Sequence, residues 1–301
     1  MEKFDVFRDV AERTGGSVYI GVVGPVRTGK STFIKRFMDL LVMPRIEDVY
    51  VRDRTRDELP QSGAGKTIMT TEPKFVPDEA VEIDLRDNVR VRVRLVDCVG
   101  YTVEGAKGYQ EEDGSPRMVR TPWFTHEVPF QEAAEIGTHK VITEHSTLGL
   151  VVVTDGSITG IPREAYVPAE ERVIEELKQL GKPFLVVLNS THPQSEEMKE
   201  LAAQLSEKYG VPVISVDCLN MSQKDIVTLL HEILFEFPVR EIGIRLPEWV
   251  EELELGHWLS ARFRDAVFET VGHIARLRDV DKAIEEFKGF EFIDNVVLEE
   301  M

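Results

Sequence analysis

"GPVRTGKS", Gly24 to Ser31, is the stretch on which the fold turns. Glycines stand at both ends of a six-residue span, which closes on a lysine and a hydroxyl residue. "VYIGVV" before it has the apolar character of a buried strand, and "KSTFIKRFMDLLV" after it has helical period with one apolar face. A strand, a glycine-rich turn and a helix start make a cradle of backbone N–H groups for phosphate. Gly24, Arg27, Thr28, Gly29, Lys30, Ser31 and Thr32 are then the residues around a nucleotide. Lys30 reaches the outer phosphates, and Ser31 ligates Mg2+ through its hydroxyl.

"SGAGKT", Ser62 to Thr67, has the same ending but not the same context. Its first glycine position is Pro60, the preceding "RDRTRDELPQ" is charged and is no strand, and Pro73 soon stops a helix. It reads as a loop between the first helix and the second strand. In nucleotide switches that loop carries a hydroxyl that senses the γ-phosphate through Mg2+, and Thr70 and Thr71 both qualify. Lys66 either reaches a phosphate or a neighbouring subunit, or is a solvated loop lysine. The metal-side carboxylate is supplied by "VRLVDCVG": Asp97 ends the strand and holds Mg2+ through water, and the Gly100 N–H meets the γ-phosphate.

Composition narrows the function classes. The chain has 301 residues, 42% of them hydrophobic, which suits a good-sized α/β domain and a smaller second unit. A formal net charge of −18 argues against nucleic acid as a partner, because phosphate backbones need clustered Lys and Arg. The two cysteines, Cys98 and Cys218, lie in or beside apolar strand-like runs, so a reducing cytoplasm is the default expectation. No run approaches the ~18 apolar residues of a membrane span. Membrane association is expected only through a partner or a region outside this chain.

Apolar runs alternate with helical-period segments along most of the length. "SVYIGVVG", "VRVRLVD", "LGLVVVTD", "FLVVLN" and "VPVISVD" read as strands; "PAEERVIEELKQLG", "QSEEMKELAAQLSEKYG" and "SQKDIVTLLHEILFEF" read as helices between the later ones. That alternation predicts a mostly parallel sheet covered on both faces. "EIDLRDNVRVRVRLVD" holds a hairpin signal at Arg86–Asp87–Asn88, which predicts one antiparallel strand. Residues 1–238 are expected to form this domain. From 239 the pattern turns helical, and 239–301 reads as a small helical segment, the start of a second domain that continues beyond Met301.

At this point the layout resembles the P-loop NTPase fold of the translation-factor-like GTPases. In that class an Asn-Lys-x-Asp motif reads guanine. Here Asn189 is present, but Ser190 stands for the Lys and His192 for the Asp. Loss of a buried hydrogen-bonding partner removes several kcal/mol of discrimination, in order of magnitude about a thousandfold or more, so ATP is the expected nucleotide. Asn189 either lies beside the base or caps a strand end. Tyr101 follows Gly100 where many such enzymes have a water-orienting Gln, so slow intrinsic turnover is expected unless another group completes the site. Potassium-activated relatives carry an Asn at the position of Arg27. A guanidinium there either supplies that positive charge permanently, or faces solvent or an acidic neighbour.

The chain is similar to the stage IV sporulation protein A family, the spore-coat morphogenetic ATPases. The likeness is carried by "GVVGPVRTGKSTFIKRFM", "DELPQSGAGKTIMTTEPKFVP", "RLVDCVGYTVEGAKGY", "AAEIGTHKVITEHSTLG", "SEKYGVPV" and "RLRDVD", among other stretches, out to about residue 294. The resemblance implies a Mg-dependent ATPase whose hydrolysis drives self-assembly into a polymer. That homopolymer is the basement layer of the spore coat, in the mother-cell cytoplasm at the outer forespore surface. Implied partners are spore coat proteins and a small amphipathic membrane-anchoring peptide, stage V sporulation protein M. Lys30 then matches the family's phosphate-loop lysine, Asp97 its metal-side aspartate, and Thr70 and Thr71 its sensor threonines. Two rivals remain: a GTP-dependent switch of ribosome-assembly type, and a non-catalytic scaffold that uses nucleotide only for folding. The acidic stretch 104–118 is expected to be either a loose insert or an assembly surface.

Overall fold

The computed structural model describes residues 13–60, 73–84, 90–111, 113–254 and 256–298. Contacts divide the chain into two compact units, 1–233 and 234–301.

Unit one is built on a six-stranded sheet. Its strands are β1 (Ser17–Val23), β2 (Lys74–Asp84), β3 (Arg90–Asp97), β6 (Leu148–Thr154), β7 (Phe184–Asn189) and β8 (Val213–Val216). A separate two-stranded ribbon joins β4 (Met118–Val119) to β5 (Val128–Pro129). The order in the large sheet is β2-β3-β1-β6-β7-β8. The β2–β3 pair is antiparallel and the others are parallel, as the hairpin signal predicts. The turn residues Arg86, Asp87 and Asn88 lie outside the described residues.

From β1 the chain winds first toward β3 and then crosses back to β6. The carboxyl ends of β1 and β6 therefore border the crevice at which such sheets bind ligands. The helices of this unit are α1 (Lys30–Phe37), α2 (Val49–Glu58), α3 (Phe130–Glu144), α4 (Val167–Gln179), α5 (Glu196–Tyr209) and α6 (Gln223–Leu234). Both faces of the sheet are covered. Val151, Val153, Val186 and Leu188 belong to one buried cluster with Phe130, Val173 and Leu205. The alternate positions Leu150, Val152, Leu185 and Val187 are equally buried and point to the opposite face.

Three elements depart from the sequence reading. The first helix is α-helical only to Phe37 and passes into a π turn over Met38–Val42. Helix α2 overlaps the run that reads only as charged and not a strand. The Asp48 carboxylate starts it by accepting from the Tyr50 and Val51 N–H groups, and Thr55 is its one buried residue. Without an apolar stripe it leaves no period to detect. The described residues of 104–118 make contacts among themselves. Glu111 N–H donates to Ser115 O at 2.9 Å, Arg117 N–H to Tyr109 O at 3.1 Å, and the Arg117 guanidinium to Gly108 O at 3.1 Å.

A buried ion pair fixes the loop that follows β6. Glu170, with no exposed surface, takes a bidentate contact from the Arg163 guanidinium and a 2.6 Å bond from the Tyr209 hydroxyl. Removing one partner strands a charge in the interior. Glu170→Ala is therefore expected to lower the unfolding free energy by about 3–5 kcal/mol. Urea denaturation measures it, and a loss within ~1 kcal/mol would show that solvent reaches the pair.

Unit two carries α7 (Glu248–Glu251), α8 (Trp258–Val271) and α9 (Arg278–Lys288), with α8 packed on α9. Its first turn is anchored by Glu236, which is buried and ion-paired to Arg276 and Arg278. Phe263 stacks edge-on with Phe292 at 5.1 Å.

Candidate functional site

The loop between β1 and α1 is shaped by contacts that leave no room for side chains. Gly29 begins α1 at φ 97°, and a Cβ there would lie 2.3 Å from Asn189 Nδ2. At Gly100, φ 92°, a Cβ would lie 2.2 Å from Gly24 O and 2.6 Å from Lys30 Nζ. The Asp97–Gly100 turn therefore closes directly over the phosphate loop, and only glycine permits that approach.

Lys30 is 5% exposed, and its ammonium donates to Pro25 O at 2.6 Å and Gly24 O at 3.3 Å. Burial pushes its pKa down, opposed by Cys98 and Asp97. Thr28 is fully buried and turns its hydroxyl onto Pro25 O at 3.0 Å. Arg27 adopts φ 66°, left-handed backbone that is costly outside glycine, and is half-buried. Burial lowers the Lys30 pKa with a smaller contribution from the Arg27 charge, and burial raises the Tyr166 phenol with Arg27 opposing it in part, so Arg27 belongs to the electrostatics of the loop. Thr32 is half-buried in the first turn of α1.

Ser31 and Asp97 meet. The Ser31 hydroxyl donates to Asp97 Oδ2 at 2.6 Å. Among the described residues Asp97 Oδ1 is buried with no hydrogen-bond partner. Burial raises the Asp97 pKa, and the Ser31 bond, Lys30 and Lys74 only partly offset it. A buried, unpartnered carboxylate oxygen beside a serine hydroxyl is a fitting pair of hard donors for Mg2+, which takes one or two protein oxygens plus water and phosphate. Among the described residues there is no cluster of three or more His, Cys, Asp or Glu that would make an all-protein metal cage. The neighbouring Cys98 thiol donates to Val22 O and is pushed up to about 11 by burial, so it stays protonated.

Asn189 bridges two elements. Its Nδ2 donates to Thr28 O at 2.9 Å and its Oδ1 accepts from the Cys218 N–H at 3.0 Å. It thus ties the phosphate loop to the loop after β8. At the next position the Ser190 hydroxyl donates to Asp155 Oδ2 at 2.6 Å and accepts from the His192 N–H at 3.0 Å. No carboxylate of the guanine-reading kind stands at His192.

Two contacts are absent from any sequence pattern. The Gly100 N–H donates to Thr138 Oγ1 on α3 at 3.2 Å. Tyr101 is buried, and its hydroxyl donates to both oxygens of Glu176 on α4, at 2.6 and 2.7 Å. The phenol is therefore committed to a carboxylate and is not turned toward the loop 24–31. The sensor candidates Thr70 and Thr71, and Lys66, lie outside the described residues.

Comparison with known proteins gives the family. Residues 1–238 match the family model "Stage IV sporulation protein A, ATPase domain", and residues 239–301 match the model of the middle domain of that protein. The chain is 56% identical over 298 residues to stage IV sporulation protein A of Bacillus anthracis and, equally, to that of Bacillus subtilis (strain 168). Each alignment covers 99% of this chain and 60% of the relative. The Clostridioides difficile (strain 630) protein is 52% identical over 301 residues, covering 98% of this chain and 61% of its own length. The chain thus spans about 60% of the length of the curated relatives it matches.

Proposed function

The chain belongs to the stage IV sporulation protein A family and carries its ATPase domain, and from that premise we propose that it binds ATP with Mg2+ at residues 24–31 and hydrolyses it to drive its own assembly. The product of that assembly is a polymeric basement layer of the spore coat. It lies in the mother cell on the forespore surface and contacts spore coat proteins and a small amphipathic membrane peptide, stage V sporulation protein M. Among the described residues no helix is long and apolar enough to cross a membrane, so membrane contact on this reading goes through such a partner or a region outside the chain.

The observation that carries the reading is the convergence of Lys30, Ser31, Asp97 and Gly100 on one loop. A Mg2+ ion in this place would supply positive charge against the phosphates. Ser31 and Asp97 would hold it, since they are the hydroxyl and carboxylate that meet at 2.6 Å. The backbone N–H groups at the start of α1 would receive the polyanion, helped by the helix dipole. Lys30 would take charge on the outer phosphates in a water-poor setting, where an ammonium counts for more than in solvent. Arg27 supplies a second positive charge to the same loop. Tyr101 is held by Glu176, so water positioning is left to another group, and turnover is expected to be slow.

ATP rather than GTP follows from the 189–192 segment, where Ser190 binds Asp155 instead of offering the aliphatic stem of a lysine. The test is sedimentation of the chain with ATP, with a slowly hydrolysed ATP analogue and with GTP. Pelleting with ATP alone is expected. Pelleting with the analogue would remove hydrolysis from the mechanism, and equal pelleting with GTP would overturn the base preference.

A further inference from the structure

The turn that follows Asp97 is fastened at three points. Val26 N–H of the phosphate loop donates to Tyr101 O at 2.8 Å. Gly100 N–H donates to Thr138 Oγ1, and Thr138 is wholly buried with its own proton on Ala134 O at 2.8 Å. The Tyr101 hydroxyl ends on Glu176. Glu176 is in turn held by the Arg172 Nε at 3.4 Å and the His139 Nδ1 at 3.3 Å. Arg172 also lies 4.3 Å over the Tyr101 ring and pairs with Glu135 at 3.0 Å.

A single N–H cannot serve two acceptors well at once. The Gly100 amide sits against Lys30, where a terminal phosphate would need a donor, yet its proton is on Thr138. We propose that Thr138 and Tyr101 form a latch that holds the Asp97–Gly100 turn on the α3–α4 layer, and that the terminal phosphate of a nucleoside triphosphate competes with Thr138 for the Gly100 N–H. Both are positioning residues, because neither touches the phosphate site itself. The proposal rests on residues 24–31 being a triphosphate site and adds what sets the balance between triphosphate and diphosphate.

The consequence follows from linkage. A contact made only in the latched arrangement lowers affinity for the ligand that must open it and leaves the other ligand unaffected. The far end of the latch is partly exposed, with Arg172 at 50% and His139 at 57%. Opening the turn therefore alters a charged surface cluster on α3 and α4. The phosphate state is carried outward by packed side chains rather than by the loop alone. Glu176 accepts the phenol while burial, reinforced by Glu176, pushes the Tyr101 pKa up, so the bond keeps its polarity across the physiological range.

Two measurements test it, with Tyr101→Phe, Thr138→Val and Glu176→Gln. The first is amide hydrogen exchange of residues 98–104 in the chain without nucleotide. Loss of one hydrogen bond to a charged group is worth about tenfold in an opening equilibrium, so Tyr101→Phe should exchange about tenfold faster. Thr138→Val should act in the same direction, and Glu176→Gln, whose amide oxygen still accepts the phenol but without the charge, should fall between the unaltered chain and Tyr101→Phe. The second is the ratio of dissociation constants for ADP and a slowly hydrolysed ATP analogue, which should move about tenfold toward the analogue in Tyr101→Phe. Exchange that does not respond overturns the latch. Equal weakening of both nucleotides overturns the competition. Faster exchange in a chain that binds neither nucleotide would sink the reading of residues 24–31 and the competition with it, while leaving the latch as a purely structural contact.

Discussion

Lys30→Met should reduce ATP turnover by about a hundredfold or more, the range lost when one preorganised donor to a developing anion is removed. Methionine keeps the unbranched stem and much of the volume, so the helix start should still form. What disappears is the charge, and that charge is held at a cost. Lys30 is 5% exposed, burial disfavours its protonated form, and two backbone carbonyls together with Asp97 compensate. A charge kept in so dry a position has little structural use, because replacing buried polar groups with apolar ones of similar size is often neutral. Phosphate release and thermal melting should be measured side by side. Turnover within about threefold of the unaltered chain, a change of under ~1 kcal/mol, would mean that Lys30 does not face the reacting phosphate.

Asp97→Asn should separate activity from stability. Asp97 is 5% exposed, one oxygen has no hydrogen-bond partner among the described residues, and burial raises its pKa. A carboxyl raised in this way weakens the fold as pH climbs from its usual range toward the folded value, because the folded chain binds the proton more tightly than the unfolded one. The ionised form is therefore tolerated for function. The amide should lower hydrolysis by about a hundredfold and weaken the dependence of nucleotide affinity on Mg2+. Without nucleotide, the melting temperature should hold or rise. A drop in melting temperature with turnover retained would make Asp97 a structural residue and not the metal-side carboxylate.

How much of this could be read from the chain alone differs by element. β1, the phosphate loop and α1 were legible because strand, glycine spacing and helical period coincide over residues 17–37. The antiparallel pairing of β2 with β3 was legible from the turn residues between two alternating runs. Helix α2 was not, because it lacks an apolar stripe and is fixed by its Asp48 cap. Helix α3, which carries Thr138, is not legible either. Gly137 sits mid-helix, where sequence rules disfavour it, because a Cβ would come within 3.2 Å of the Trp123 ring and 3.1 Å of Pro73. Tertiary contact selected that residue, and tertiary contact is what a local pattern cannot show.

The site divides along the same line. Lys30, Ser31, Asp97 and Gly100 carry spacing, so their convergence could be anticipated. For Asn189 the sequence offers a place beside the base or a strand-end cap, and does not show the bridge it makes from Thr28 O to the Cys218 N–H. Tyr101 announced a missing glutamine but not its partner, since Glu176 lies 75 residues along the chain. Arg27 reads from the sequence as an added charge, or as facing solvent or an acidic neighbour; its left-handed backbone and its contribution to the lowered Lys30 pKa are visible only in the fold.

The most direct measurement is a titration of the chain with Mg·ATP, followed residue by residue through the backbone amide resonances. Saturable shifts centred on Gly29, Lys30 and Gly100, lost in Lys30→Met, are expected. Saturable shifts confined to other parts of the fold, or none at millimolar nucleotide, would contradict a triphosphate site in the loop between β1 and α1.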